Sequence, residues 1–196
     1  MPTLNNFGKM KEVSINKQAR LSEHFTLGEV CKTKYQTKDG NIPSRVAIEN
    51  LRNICENWLE DLRYSYNRLY ALPEEEEPIV ITSGYRSPEV NRLAGGCATS
   101  NHLTGCAVDI RVAGIEQLIR YAGILLDIAD GTKRELASSR VCLRSEESMQ
   151  ASLSARSTAD FDEMLMERNA VGHYWLHFAV RPASQGNRRK VKFLQV

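Results

Sequence analysis

The sequence predicts an α+β fold in which a small antiparallel β-sheet packs against helices. Two segments have apolar residues at the three-and-four spacing of one buried helical face, at 44–66 and 115–129. Four short segments rich in β-branched or aromatic residues predict strands, at 79–82, 107–112, 161–167 and 174–180. A length of 196 residues suits one domain, and we interpret 1–196 in that way.

The composition favours a globular protein and excludes several classes of function. Hydrophobic residues make up 42% and charged residues 26% of the chain, and no apolar run approaches the roughly 20 residues of a transmembrane segment. A net charge of +2 does not indicate a nucleic-acid partner. One basic cluster, Arg188 to Lys190 with Lys192, is interpreted either as a solvated tail or as a contact with an anionic polymer.

Five cysteines are present, and no pair has the C-x-x-C spacing. An odd number without that spacing argues against a disulfide framework and against a thiolate zinc site. We therefore expect reduced, structural thiols. The first ten residues lack the continuous apolar core of a signal peptide, so we expect synthesis in the cytoplasm without a secretion signal.

Local signals define further elements. Thr26 and Glu29 form a capping box, which predicts the start of a short helix. The polar segment 33–43 is typical of a loop, and residues 89–93 predict a helical turn. Residues 131–160 show only a weak pattern and predict an insertion, either an exposed helix or a flexible segment.

Three side chains are candidates for a metal site. His102 follows a turn, Asp109 lies on the polar face of a predicted strand, and His177 lies on another strand. Two imidazoles and one carboxylate leave a fourth zinc position open, which is typical of a catalytic site. Spacing alone leaves alternatives open, with Asp109 as an ion-pair partner of Arg86 or Arg111 and His177 as a core histidine.

The order of three motifs adds a family resemblance. The motifs are S-G-Y-R-S-P at 83–88, S-x-H-x-x-G-x-A-x-D at 100–109 and W-x-H at 175–177. Together they resemble the zinc D-alanyl-D-alanine carboxypeptidase family, which includes peptidoglycan carboxypeptidases, endopeptidases and phage lysins. The resemblance covers roughly 20–130 and 161–195.

The resemblance implies that His102, Asp109 and His177 bind Zn²⁺. It also implies a substrate role for Arg86, since a guanidinium can hold a carboxylate or polarise a carbonyl through parallel hydrogen bonds. The alternative for Arg86 is an ion pair with Asp109. Ser100 is expected to orient ligands or substrate, or else to cap a turn.

The position of the general base departs from the pattern of many relatives. Many relatives carry a carboxylate three residues before the last histidine ligand, where this chain has Tyr174. Glu167 is the replacement we predict, because relatives with a similar segment before W-x-H carry a glutamate at the matching place. On a strand at 161–167, it would share one face with Phe161, Glu163 and Leu165. The alternatives are a contact with a ligand histidine and no role in the site. His173 is a further substrate-binding candidate, for transition-state stabilisation, or else a loop residue.

The resemblance implies zinc-dependent hydrolysis of an amide bond in peptidoglycan peptides, by a carboxypeptidase or an endopeptidase such as those of phage lysins. Such an enzyme would act on the cell wall after release from the cytoplasm. The alternative is a catalytically inactive, zinc-containing module that binds wall peptides, which Tyr174 would favour. A zinc hydrolase of non-wall peptides is a third hypothesis.

Overall fold

The structure is a computed structural model that describes residues 15–72, 74–131 and 160–196. These residues form five α-helices and five β-strands. The helices are α1 (Leu27–Val30), α2 (Arg45–Ile54), α3 (Glu60–Tyr70), α4 (Pro88–Leu93) and α5 (Ile115–Ala129). The strands are β1 (Ile81–Ser83), β2 (Ala107–Arg111), β3 (Glu163–Arg168), β4 (Tyr174–Ala179) and β5 (Lys190–Gln195).

One long helical segment extends from α2 to α3 through a π-helical turn at Cys55–Leu59. Ser44 caps its first turn by accepting a hydrogen bond from the backbone of Ala47 at 3.2 Å. The segment ends four residues beyond the predicted end at residue 66. Leu69 and Tyr70 in the last turn are largely exposed. The apolar pattern therefore stops before the helix does.

The strands form one mixed sheet in the order β1-β2-β4-β3-β5. All neighbouring strands are antiparallel except β3 and β5, which are parallel. The predicted α+β class is confirmed. The sheet was predicted to be antiparallel, so the parallel pairing of β3 and β5 is a correction at one edge. The interpretation of the basic cluster as a solvated tail is wrong for Lys190 and Lys192, since both belong to β5.

The helices cover one face of the sheet and leave the other open for a site. Trp58 contacts Phe161 and Phe178, with ring centroids 6.5 and 5.0 Å away. Tyr66 of α3 meets Tyr121 of α5 edge to face at 4.8 Å. Each such large, buried apolar side chain stabilises the fold by about 1.5–3 kcal/mol. This core fixes the sheet, whose opposite face carries polar side chains.

Several local predictions are confirmed. The capping box is present at Thr26 and Glu29, and α5 has the predicted bounds. Four cysteines are free thiols, while Cys142 lies outside the described residues. The insertion predicted at 131–160 also lies outside them, apart from its two end residues. Within the described ranges, no helix has the length and apolar character to cross a membrane.

Candidate metal centre and active site

Three elements bring the candidate metal ligands together on the open face of the sheet. Asp109 lies in the middle of β2, and its register partner on β4 is His177. His102 comes from a 3-10 turn, Asn101–Thr104, which precedes β2. Ser100 caps that turn, because its hydroxyl accepts a hydrogen bond from the His102 backbone at 3.3 Å. The capping role considered for Ser100 is therefore present.

The geometry of the three side chains suits a metal ion. His102 Nε2 and His177 Nδ1 lie 3.2 and 2.9 Å from Asp109 Oδ1. One potential ligand atom from each residue lies within 4.8 Å of the other two. All three residues are at least nine-tenths buried. Their side chains therefore offer two nitrogens and one oxygen at a single, enclosed point.

The second nitrogen of His102 supports the same interpretation. His102 Nδ1 lies 2.6 Å from the carbonyl oxygen of Gly84, to which it donates as an N–H. That bond uses the proton on Nδ1, so Nε2 is the ring nitrogen available to a metal, as a ligand histidine requires. A side chain at Gly84 would interfere, because an added Cβ would lie 2.2 Å from the Val30 carbonyl oxygen. The residues present thus fit a zinc ion with a His/Asp/His donor set.

Electrostatics keep Asp109 in the anionic form that a metal ligand needs. Burial alone would raise the pKa of Asp109, but the adjacent imidazoles of His102 and His177 lower that pKa far below its usual range. Arg86 Nη2 also donates to Asp109 Oδ2, and Arg86 Nε donates to Ser83 Oγ at 2.8 Å. The ion pair considered as the alternative for Arg86 is therefore present, and Arg86 also lines the cavity described next.

A cavity of about 970 Å³ opens over these residues. Its lining includes Arg86, Ser100, Glu167 and Trp175 as well as the three candidate ligands. Glu163, Leu165 and Glu167 all line it, so the predicted shared face is confirmed for these three residues. It is wrong for Phe161, which precedes β3 and packs in the core. The structure therefore brings together the candidate metal ligands and all but one of the other predicted site residues.

Glu167 has the surroundings expected of a general base. It is the register partner of Trp175 on the neighbouring strand β4, and both residues line the cavity. Burial raises the pKa of Glu167 above the ordinary value, although the nearby charges of His177 and Arg86 oppose this. A raised pKa brings a carboxylate closer to the range in which it can both accept and return a proton near neutral pH.

Tyr174 does not occupy a base position in this fold. Its ring packs against Phe193 of β5 at 6.3 Å and lies beneath the guanidinium of Arg168. Successive residues of a strand point to opposite faces, and Tyr174 is three residues from His177. It therefore packs with the core side of the sheet, and its identity does not count against catalysis.

His173, predicted to bind substrate or else to be a loop residue, lies in a loop. His173 is exposed and lies in the turn between β3 and β4. Its backbone N–H donates to the Asn169 side chain at 2.9 Å, and it does not line the cavity.

Sequence reasoning missed a buried asparagine that holds the segment around Arg86. Asn41 Nδ2 donates to the Cys31 and Tyr85 carbonyls at 2.9 and 3.2 Å. Asn41 Oδ1 accepts from the Ser87 backbone at 2.7 Å. Asn41 has a positive φ of 52°. Its place after Asp39-Gly40 marks a turn, but nothing in the sequence shows contacts more than 40 residues away.

A charged cluster beside the site was predicted only in part. It consists of Asp162, Glu163, Arg181, Arg188 and Lys190, and we call it the basic wall. Its ion pairs join β3, β5 and the segment between β4 and β5. The sequence indicated the basic residues from 188 to 190 and the position of Glu163 on the site face, but not their pairing with each other or with Arg181.

A metal-binding His/Asp/His set beside a carboxylate and an arginine, in an open cavity, defines a metal-dependent hydrolase site in an α+β fold. The sequence model of the family Peptidase M15 matches residues 23–125. The chain belongs to this family of D-alanyl-D-alanine carboxypeptidase-like enzymes, and it is a metallopeptidase that acts on peptide bonds. Membership suggests zinc as the metal.

The matched segment contains Arg86, His102 and Asp109, whereas Glu167 and His177 lie beyond it. The fold nevertheless brings His177 beside Asp109, because β4 pairs directly with β2. A search of curated proteins found no match to this chain.

Proposed function

We propose that the enzyme hydrolyses an amide bond in peptidoglycan peptides, as a D,D-carboxypeptidase or an endopeptidase, with Zn²⁺ held by His102, Asp109 and His177. The observation that supports this most strongly is the convergence of these three side chains in the wall of an open cavity beside Glu167. Zinc at that point would supply Lewis acidity toward the scissile carbonyl and would make water a better nucleophile.

The protein's own side chains have separate tasks in this proposal. Glu167 accepts a proton from the attacking water and returns it to the leaving amine nitrogen. Trp175 pairs in register with Glu167 and lines the cavity beside it. Arg86, steadied by Ser83, offers its guanidinium to a substrate carbonyl or carboxylate. Ser100, at the cavity edge, orients the substrate.

The test is digestion of purified peptidoglycan by the zinc-loaded protein, with mass spectrometry of the released fragments. We expect new amine and carboxylate ends at one type of amide bond, and the fragment masses name that bond. His102→Ala and Glu167→Gln should abolish these products, while Glu49→Gln, an exposed change on α2, should not. Cleavage of cytosolic peptides without cleavage of any wall preparation would contradict the proposal.

We also propose that the enzyme reaches the wall as a phage or prophage lysin does, after release from the cytoplasm. The support is the resemblance of the motifs to a family that includes lysins. Expression in bacteria with and without a separate membrane-permeabilising protein tests this. Lysis that requires both proteins is expected, and lysis by the enzyme alone would contradict this route.

A further inference from the structure

The cavity has an uneven charge. Six cationic side chains line it, against the carboxylates of Asp109, Glu163 and Glu167. A bound divalent metal would add to this positive excess. A cavity with such a lining attracts anionic ligands, because low-dielectric walls concentrate the field of the exposed charges. The arrangement of the charges shows where an anion would bind.

The first part of the basic wall is built on Asp162, which is completely buried. Arg188 grips its carboxylate through two hydrogen bonds of 2.7 Å, from Nε and Nη2. Arg181 Nε lies 3.0 Å from Asp162 Oδ2, and Asn101 Nδ2 donates to the same oxygen at 2.9 Å. One carboxylate therefore fixes two guanidinium groups, and one positive charge remains uncompensated.

The second part connects this pair to the candidate metal centre. Glu163 Oε1 accepts from Lys190 Nζ at 2.7 Å and lies 3.0 Å from Arg188 Nη2. Glu163 Oε2 is 3.9 Å from His177 Nε2. The basic wall thus begins one side chain away from a candidate metal ligand, so a substrate bound at the metal would extend past it.

The basic side chains of the wall are more exposed to solvent than its acidic side chains. The side chains of Arg181, Arg188 and Lys190 are 25%, 48% and 36% exposed. The carboxylates of Asp162 and Glu163 are 0% and 14% exposed. The acidic groups lie beneath and hold the basic groups in place, and the basic groups meet the solvent. The fold therefore already holds these donors in place, so little conformational entropy is lost when a ligand binds to them.

We propose that the basic wall is a subsite for a free carboxylate of the substrate, distinct from the group that Arg86 meets. The inference rests on the proposed function and narrows it to acidic wall peptides, in which an internal carboxyl group is free and not amidated. Lys32 and Lys34, exposed in the segment that lines another part of the cavity, add to the attraction of such a peptide.

The test compares matched synthetic stem peptides that differ at one position, each internal carboxylate being replaced in turn by a carboxamide. The zinc-loaded wild type is measured beside Arg181→Gln, which removes one charge while Arg188 still pairs with Asp162. Arg188→Lys is a second variant, which keeps the charge but cannot form the two parallel hydrogen bonds to Asp162. Arg45→Gln, a change at a 93% exposed arginine on α2, is the matched control. Thermal melts check that each variant is folded.

We expect the wild type to favour one free carboxylate by at least tenfold in kcat/KM, and this preference to weaken with salt. Arg181→Gln should reduce the preference severalfold, mainly by lowering kcat/KM for the carboxylate peptide, while Arg45→Gln should keep the preference. Equal kcat/KM for both peptides in the wild type would overturn the inference and leave the proposed function intact. A preference retained by both folded wall variants would also overturn it.

Binding of the same peptides, measured by calorimetry, separates the two proposals. If no wall peptide is cleaved, the proposed function fails. In that case, tighter binding of a carboxylate peptide that Arg181→Gln abolishes would still support the subsite, whereas equal or no binding of the two peptides would overturn it.

Discussion

Asp109 and His177 face each other across neighbouring strands β2 and β4, with His177 Nδ1 2.9 Å from Asp109 Oδ1. The register of the sheet therefore sets the distance between two candidate metal ligands. A shift of one residue in this pairing would turn His177 to the core face. The hydrophobic packing of Leu176 and Phe178 on that face opposes such a shift.

Glu167 should control the acidic limb of the pH–rate profile. Burial raises its pKa, so the carboxylate gains a proton at a higher pH than an ordinary glutamate does. Because a general base must be deprotonated, kcat/KM should fall as the pH decreases through this raised pKa. Glu167→Gln should lower kcat by about 10²–10⁴ and keep the metal. Metal content measured at each pH separates this limb from metal loss, and a wild-type rate in Glu167→Gln would contradict the assignment.

Gly84 should tolerate no side chain. A Cβ there would lie 2.2 Å from the Val30 carbonyl oxygen, so Gly84→Ala must displace the segment whose carbonyl accepts from His102. We expect a loss of at least about 1–3 kcal/mol in the free energy of unfolding, together with weaker metal binding. Gly123→Ala is the matched control.

Gly123 lies in α5 with nothing within 4 Å of its added Cβ. Its replacement should stabilise the protein by about 0.5–1 kcal/mol. Chemical denaturation measures both variants. Equal stability of Gly84→Ala and the wild type would show that the close contact at Gly84 is not a constraint.

Asn41 should support activity through Arg86 without touching the substrate. Asn41→Gly keeps the positive φ but removes the hydrogen bonds to the neighbours of Arg86 on both sides. Each buried group left without a partner costs about 1–3 kcal/mol, so the melting temperature should fall. Without these bonds Arg86 is positioned less accurately, so kcat/KM should fall by up to about 10²-fold.

Asn41→Ala adds backbone strain to the same loss and should be less stable than Asn41→Gly. Melting curves and steady-state kinetics measure the two variants side by side. A folded Asn41→Gly variant with wild-type kinetics would show that Arg86 is held by other contacts.

Asp162 should make the free energy of unfolding depend on pH in the acid range. Burial alone would raise its pKa, but hydrogen bonds from Arg188 and Asn101 lower the pKa below the ordinary value. A lowered folded-state pKa stabilises the fold above the unfolded pKa of about 3.9, and this contribution is lost as the pH falls through the folded value. Asp162→Asn should therefore cost about 1.5–3 kcal/mol at neutral pH and progressively less in acid. Denaturation with a chelator present measures this, and a pH-independent difference would refute the linkage.

Local sequence patterns predicted most of the elements and the three candidate ligands. The apolar spacing of 115–129 matches α5, and strand alternation put Asp109, Glu167 and His177 on the face that carries the site. These features depend on neighbours in the chain, which periodicity and motifs report directly.

The features that the sequence did not predict depend on contacts between residues that are far apart in the chain. Arg188 pairs with a carboxylate 26 residues away, and β5 is an edge strand with several exposed residues, so it has no clear alternation. His173 had a loop residue as its alternative, and it is exposed in the turn between β3 and β4. Pairings of this kind arise from tertiary packing, which no local pattern encodes.

The most direct test of the central claim is the zinc content of the purified protein after dialysis, in the wild type, His102→Ala and His24→Ala. His24 pairs with Glu60 near the surface and serves as the control. We expect one zinc per chain in the wild type and in His24→Ala, and none in His102→Ala. A wild type that binds no zinc, or a His102→Ala variant that keeps one equivalent, would contradict the assignment of His102, Asp109 and His177 as the metal site.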